Sequence, residues 1–161
     1  MIFRNAQPTD ANQLENFPIG DTRHDYLDEV TEIVQGLLQW RDDPTRNDLD
    51  RQVVVLTDDN HTIVAVAAHE RIEHERLGPL TNHRYLMIAA IRHDHQRTGL
   101  GQLLIDSILN DLQQQGTQTI RWLVHPDNQP SIRFSRTAYP ETDETQPPED
   151  HPYIAFTITL N

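Results

Sequence analysis

The stretch from Tyr85 to about Gln115 constrains the fold of this chain more than any other. Residues 85–91 form an apolar run with the length of a buried strand, and a polar segment with two glycines follows. Apolar residues then recur at spacings that place them on one helical face: Leu100, Leu103, Leu104, Ile108 and Leu112. This order directs the free N–H groups and the positive dipole end of the helix toward the space beyond the strand. Such a place favours an anion, usually a phosphate.

The turn itself carries a phosphate-loop pattern. It fits Q/R-x-x-G-x-G/A through Gln96, Arg97, Thr98, Gly99, Leu100 and Gly101. It is neither the dinucleotide fingerprint nor the Walker loop, and a Walker lysine is excluded because all 13 basic residues are arginines. The alternative is a strand-to-helix turn that needs two glycines only for its backbone geometry. The strand before it and the amphipathic helix after it favour the phosphate loop.

The composition fits a single domain of 161 residues with its own core. No run of eighteen apolar residues is present, and the first residues lack the layout of a signal peptide. The absence of cysteine excludes disulfides, a thiol nucleophile and cysteine-based zinc sites. We therefore expect a soluble, cytoplasmic protein.

The charge is strongly negative, with 25 acidic residues and a formal net charge of −12. Such a surface repels nucleic-acid backbones and anionic lipid, and it attracts cationic ligands. We expect neither a nucleic-acid nor a membrane partner.

Hydrophobic periodicity and turn residues predict the element order β-α-α-β-β-β-α-β-α-(β)-β. The predicted strands are 2–4, 52–57, 62–70 (with a possible extension over 71–76), 85–91, 119–124 and 153–160. The first predicted helix begins after Thr9 or Asp10. The other predicted helices cover about 23–40, 100–115 and 131–137. The predicted connections are 41–51, 78–82 and 141–151.

Most of the chain resembles the GNAT superfamily of acyl-CoA-dependent N-acyltransferases. The resemblance rests on the opening Phe3-Arg4-x-Ala6-x-x-x-Asp10, the hairpin, the phosphate loop and a second motif. That motif comprises Val124, Asn128, Ser131, Phe134, Ser135, Ala138 and Tyr139, where serine replaces the family's tyrosine and alanine its glycine. The resemblance implies an α/β (α+β) fold, with a mixed, mostly antiparallel sheet that is splayed at strands 4 and 5 and flanked by about four helices.

The same resemblance implies a co-substrate, acetyl-CoA, and the residues that bind it. The pyrophosphate is expected at the loop amides, and the pantetheine along the end of the central strand, with the second motif opposite. The expected cofactor-binding residues are Ala89, Ala90, Ile91, Gln96, Arg97, Thr98, Gly99, Leu100, Gly101, Gln102, Asn128, Ser131 and Phe134. For Asn128, a turn that caps the following helix is an equal alternative.

Family members let an amine attack the thioester directly, and here the proton-transfer groups depart from the family pattern. Ser135 is a poorer acid than the usual tyrosine, so a water held by Ser135, or the hydroxyl of Tyr139, could substitute for it. The alternative, which we favour, is that Ser135 is a small helix residue without a catalytic role. His125 is the best-placed base, because it directly follows the strand residue Val124. Residues 85–91 contain no glutamate, so Tyr85 or a chain of waters is the alternative. The adjacent spacing of His93 and His95 argues against a metal site.

Two functions remain open from the sequence. The first is an N-acetyltransferase for the primary amine of a small molecule or peptide, which is the reaction that the resemblance implies. The second is a catalytically weak or inactive acyl-CoA-binding module, favoured by the missing tyrosine and glutamate. A homodimer through the strand at 153–160 is a further possibility, since dimers are common in the family.

Overall fold

A mixed sheet forms the centre of the protein, whose computed structural model describes residues 1–19, 25–74, 78–146 and 152–160. The strands are β1 (Ile2–Asn5), β2 (Gln52–Thr57), β3 (Ile63–His74), β4 (Gly78–Ile91), β5 (Thr119–Val124), β6 (Asp143–Thr145) and β7 (Ile154–Thr159). Within these residues they form one sheet in the order β1-β2-β3-β4-β5-β7-β6. Every neighbouring pair is antiparallel except β4 and β5, which run parallel.

Helices cover both faces of this sheet. They are α1 (Ala11–Glu15), α2 (Asp25–Arg41), α3 (Leu100–Gln114) and α4 (Gln129–Ala138), and 3₁₀ turns lie at Pro8–Asp10, Pro44–Leu49 and His93–His95. One buried cluster joins α1 and α2 to β2, β3 and β4, and the other joins α3 and α4 to the opposite face of the strands. Successive strand residues therefore alternate between two cores, as the pleat of a sheet requires.

The pairing of β4 with β5 ends partway along β4. The last pair in register is Leu86 with Trp122, although β4 continues to Ile91. Near this point the register of β4 against β3 also shifts, because Ala68 pairs with Ile88 whereas His69 pairs with Leu86. The extra residue, Met87, is a β-bulge that moves Leu86 and Ile88 to opposite faces of the sheet. The two parallel strands thus separate and leave an opening, as expected from the family resemblance.

The elements with regular periodicity were predicted well. The strands at 52–57 and 119–124 are confirmed to the residue, and the helix predicted at 100–115 is α3. The helix predicted at 131–137 is α4, which begins two residues earlier, at Gln129. The second helix was predicted from about residue 23, and its first two residues lie outside the described ranges.

Three predicted connections contain regular structure. Residues 78–82 belong to β4, because the arms of a long hairpin pair from Gly78 and His74 onward. Residues 44–49 form a 3₁₀ helix, and 143–145 form β6. Because β6 pairs with Ala155 to Thr157, β7 has neighbours on both sides there and offers no free edge to a second copy at those residues.

Candidate active site

The turn between β4 and α3 presents backbone amides rather than side chains. Arg97 and Gly99 have positive φ angles of 62° and 84°, and Gly99 caps α3 in the left-handed conformation. The Gln96 side-chain amide anchors the turn by donating to the carbonyls of Ile19 (3.0 Å) and Ile91 (3.3 Å). In the described part of the chain the N–H groups of residues 97–102 donate to no protein acceptor. Together with the dipole of α3 they are suited to bind an anion.

The backbone conformation requires glycine at only one of the two glycines of the turn. A Cβ on Gly99 would have no atom within 4 Å, so the positive φ angle is what requires glycine there. A Cβ on Gly101 would contact Ile91 at 3.9 Å and the ring of Phe134 at 4.0 Å, which is an ordinary separation. The protein alone therefore leaves space above both residues, and this space is open to a ligand.

The second wall of the opening comes from α4. Asn128 caps this helix, because its Oδ1 accepts a hydrogen bond from the amide of Ser131 at 3.3 Å. Phe134 is 36% exposed and points toward Gly101. A surface pocket of about 480 Å³ lies between the start of α3 and this helix, and its lining consists of Gln102, Pro130, Arg133, Phe134, Thr137 and Ala138.

Ser135 lies on the buried side of α4. It is only 2% exposed, and its Oγ accepts a hydrogen bond from Nε1 of Trp122 at 3.0 Å. A buried indole N–H needs such a partner. Since Trp122 forms the last pair between β5 and β4, the serine hydroxyl supports the point where these strands separate.

Tyr139 is also turned inward. It is buried at the end of α4, and its hydroxyl donates to Oδ1 of Asp106 on α3 at 2.8 Å. Burial, and then the hydrogen bond and charge of Asp106, raise the pKa of Tyr139 far above its usual value. The phenol therefore stays protonated at neutral pH and ties α4 to α3.

His125 follows the last residue of β5. Its Nδ1 accepts a hydrogen bond from the amide of Asp127 at 3.1 Å, and its ring lies edge-on to Tyr153 at 5.7 Å between centroids. In the neutral imidazole this arrangement leaves the proton on Nε2. His125 thus lies directly beyond β5, with its Nδ1 held by the amide of Asp127.

Tyr85 lies on β4 one residue before the last pair with β5. Leu86 faces α3 and α4, so Tyr85 faces the α1 and α2 side. Burial first, and then the charge of Glu70, raise the pKa of Tyr85, while Arg121 acts in the opposite direction. At neutral pH the Tyr85 hydroxyl is therefore protonated.

Glu70 lies beside Tyr85, although the sequence did not predict it as a site residue. It lies on β3 directly opposite Tyr85, and its side chain is 16% exposed. Nε of Arg51 stands 3.6 Å from its Oε2. No local sequence signal marks Glu70, because only the register of β3 against β4 brings it beside Tyr85.

His93 and His95 precede the amide turn. Asp94 Oδ1 accepts from Arg92 at 3.0 Å and lies 2.9 Å from Nδ1 of His95, so these side chains bind one another. Among the described residues, no three histidine, aspartate or glutamate side chains are grouped closely enough to hold a metal ion. No helix in the same residues has the length and apolarity needed to cross a membrane.

The chain is similar to proteins of known family and known structure. Residues 12–139 match the model of the Acetyltransferase (GNAT) family. A GNAT-family structure from Desulfovibrio desulfuricans superposes with a TM-score of 0.75 at 15% identity, covering 99% of both chains. PaiA N-acetyltransferase from Thermoplasma acidophilum, in complex with coenzyme A, gives 0.72 at 13% identity over 98% of both chains. The ribosomal-protein-S18-alanine N-acetyltransferase from Escherichia coli gives 0.65 at 15% identity, over 99% of this chain and 94% of that one. No curated protein sequence matches the chain.

Proposed function

The chain belongs to the GNAT family of acyl-CoA-dependent N-acetyltransferases, and from this premise we propose that it transfers an acetyl group from acetyl-CoA to the primary amine of a small molecule or peptide. One observation carries the proposal. At the start of α3, beside the place where β4 separates from β5, stands a run of backbone amides that donate to no acceptor among the described residues.

The donor molecule would use the two walls of this opening. The amides of residues 97–102 would hold the pyrophosphate, which is the anion that such a helix N-terminus favours. The pantetheine would lie along Ala89, Ala90 and Ile91, which follow the last β4 residue paired with β5, Leu86. Asn128, Ser131 and Phe134 would form the opposite wall, and the pocket along α4 would extend it.

The reaction is a direct displacement. The neutral amine attacks the thioester carbonyl carbon, a C–N bond forms, and the C–S bond breaks to release the CoA thiolate. An N–H of β4 in its unpaired part would stabilise the oxyanion. The attacking nitrogen loses a proton to solvent or to a nearby base, and the thiolate gains one from solvent, since Ser135 and Tyr139 donate or accept within the protein interior.

Glu70 is the base that we propose for preparing the amine. Its carboxylate would take one proton from the bound ammonium, directly or through the Tyr85 hydroxyl, before attack. Tyr85 would suit such a relay because its hydroxyl, protonated at neutral pH, can give its proton to Glu70 as it accepts one from the ammonium. His125, with its Nδ1 occupied by the Asp127 amide, would act as a hydrogen-bond donor at the opening.

A second candidate function is an acyl-CoA-binding module without turnover. The inward-facing hydroxyls of Ser135 and Tyr139 favour it, because they leave no side-chain acid from α4 at the thioester. The two functions share the CoA site and differ only in whether an amine is acetylated.

Calorimetry with CoA and a thiol-release assay with acetyl-CoA separate the candidates. The amine panel would contain a polyamine, an aminoglycoside, free amino acids and a peptide with N-terminal alanine, the residue named for the Escherichia coli neighbour. We expect CoA binding and amine-dependent thiol release. Binding without release on any amine would favour the module, whereas the absence of CoA binding would refute both.

A further inference from the structure

Three polar side chains form a row across neighbouring strands below the opening. The sheet register places Glu70 opposite Tyr85, and Tyr85 next to Arg121 on β5. All three lie on the α1 and α2 side of the sheet. For β5 this follows from alternation, because Ile120 and Trp122, on either side of Arg121, belong to the core under α3 and α4.

The β5 part of this face is open in the described residues. The core cluster under α1 and α2 draws its strand residues from β2, β3 and β4, and it contains none from β5 or β7. Arg121 is exposed, and no carboxylate of the described residues forms an ion pair with it. Beyond Arg121 the register continues through Thr157 to Asp143, which is two strands from Arg121, as Glu70 is on the other side.

The row lies directly before the point where the acetyl group would be transferred. Tyr85 and Arg121 are the pair preceding Leu86 and Trp122, after which the two strands separate. Neighbouring strands are about 5 Å apart, so the row spans about 10 Å from Glu70 to Arg121. Glu70, whose carboxylate also pairs with Arg51 at 3.6 Å, stands at one end of this span, and the positive Arg121 stands at the other.

On the premise of the proposed function, we propose that the acceptor is an amine that also carries a carboxylate, which Arg121 binds while Glu70 and Tyr85 receive the amine. The spacing of the row selects an amine and a carboxylate separated by about 5 to 10 Å. Arginine suits this role, because its planar guanidinium pairs with a carboxylate through two parallel hydrogen bonds. The net charge of −12 repels purely anionic acceptors, whereas a zwitterion has no net charge to repel.

Three acceptors of equal length test this inference. ε-Aminocaproate, hexylamine and hexamethylenediamine each carry a primary amine on the same methylene chain. The other end of the chain bears a carboxylate, a methyl group and a second aminomethyl group respectively. We expect kcat/KM for ε-aminocaproate to exceed that for each of the other two by about tenfold or more, the scale of a charge-assisted pair. Equal or better use of either other amine would overturn the inference.

Variants of Arg121 test whether this residue causes the preference for ε-aminocaproate. Arg121→Gln is expected to lower the ratio of kcat/KM for ε-aminocaproate to kcat/KM for hexylamine to about one, and Arg121→Lys is expected to restore part of this preference. Arg136→Gln is the control, because Arg136 is exposed on α4 and pairs with Glu144 on β6. A preference that survives Arg121→Gln, or that Arg136→Gln also removes, would contradict the assignment.

The outcome also separates this inference from the proposed function. Turnover of other amines with none of the three would overturn the acceptor assignment and leave the acetyltransferase in place. Failure of every amine, with CoA still bound, would overturn both.

Discussion

The two halves of the candidate site are built in different ways. The donor half is a run of backbone amides, residues 97–102, that are consecutive in the chain and positioned by one left-handed glycine at the start of α3. The acceptor half is a set of side chains from three strands, Glu70, Tyr85 and Arg121, which lie far apart in the chain. The first half is a local structure, whereas the second exists only when the strands are in register.

The bulge at Met87 shows how much the acceptor half depends on register. Ala68 pairs with Ile88, so an uninterrupted ladder would place Glu70 opposite Leu86. The extra residue places it opposite Tyr85 instead, and a shift of one residue exchanges the two faces of a strand. Substitutions in the donor half should therefore affect CoA binding, and changes in the acceptor half should leave it intact.

The largest effect is expected from Gly99→Asp. The new carboxylate would stand among the amides that receive the pyrophosphate, and like-charge repulsion should abolish measurable CoA binding in calorimetry. Gly116→Asp is the matched control, since Gly116 has nearly the same φ (82° against 84°) and equally open space around an added Cβ. Both variants should lose about 1 kcal/mol of stability from the left-handed conformation. Retained CoA affinity in Gly99→Asp would refute the donor site.

Glu70→Gln is expected to lower kcat/KM for the acceptor amine by about 100-fold, the scale of general base catalysis. CoA affinity should not change, because Glu70 lies on the opposite face of the sheet from α3 and α4. Glu15→Gln, an exposed site on α1, is the control. A parallel loss of CoA affinity in Glu70→Gln would show that the two halves are not separable.

The register that positions Glu70 is anchored by a buried histidine. His69 Nδ1 accepts from Nε of Arg84 at 3.2 Å, and Arg84 also donates to Asp50 Oδ2 at 2.8 Å. Burial, followed by the positive charge of Arg84, lowers the pKa of His69 from 6.5 to about 3, whereas Asp50 acts in the opposite direction. The folded protein binds this proton more weakly than the unfolded chain does.

The free energy of unfolding should therefore fall as the pH drops below about 6.5, by about 1.4 kcal/mol per pH unit from this residue, down to a pH of about 3. In His69→Asn an amide oxygen replaces Nδ1 as the acceptor for Arg84, and it does not titrate. Denaturant unfolding of both proteins between pH 6 and 4 measures the difference between their pH dependences. The contributions of the carboxylates, which both proteins share, cancel in this difference. Equal slopes would show that His69 takes up its proton without opening the structure.

The contrast between the halves also explains what the sequence predicts. The phosphate loop and α3 are predicted because their signals are local: two glycines and a stripe of apolar residues at helical spacing. The start of β4 was missed because Gly78 and Pro79 are typical of turns, and only pairing with the end of β3 makes them strand residues. Glu70 was missed for the same reason, since the bulge at Met87 has no signature in the letters around it.

The smallest effect on turnover is expected at Ser135, which stands where the family's proton-donating tyrosine would be. Ser135→Ala leaves the buried Nε1 of Trp122 without an acceptor, so unfolding should become easier by about 1–2 kcal/mol. If solvent protonates the thiolate, turnover of a good acceptor should stay within about threefold of the wild-type rate. Trp122→Phe combined with Ser135→Ala removes both partners, so the double variant should lose less stability than the sum of the single variants. If turnover instead slows about 100-fold while stability is unchanged, Ser135 is the acid, and the donor half then depends on a side chain as the acceptor half does.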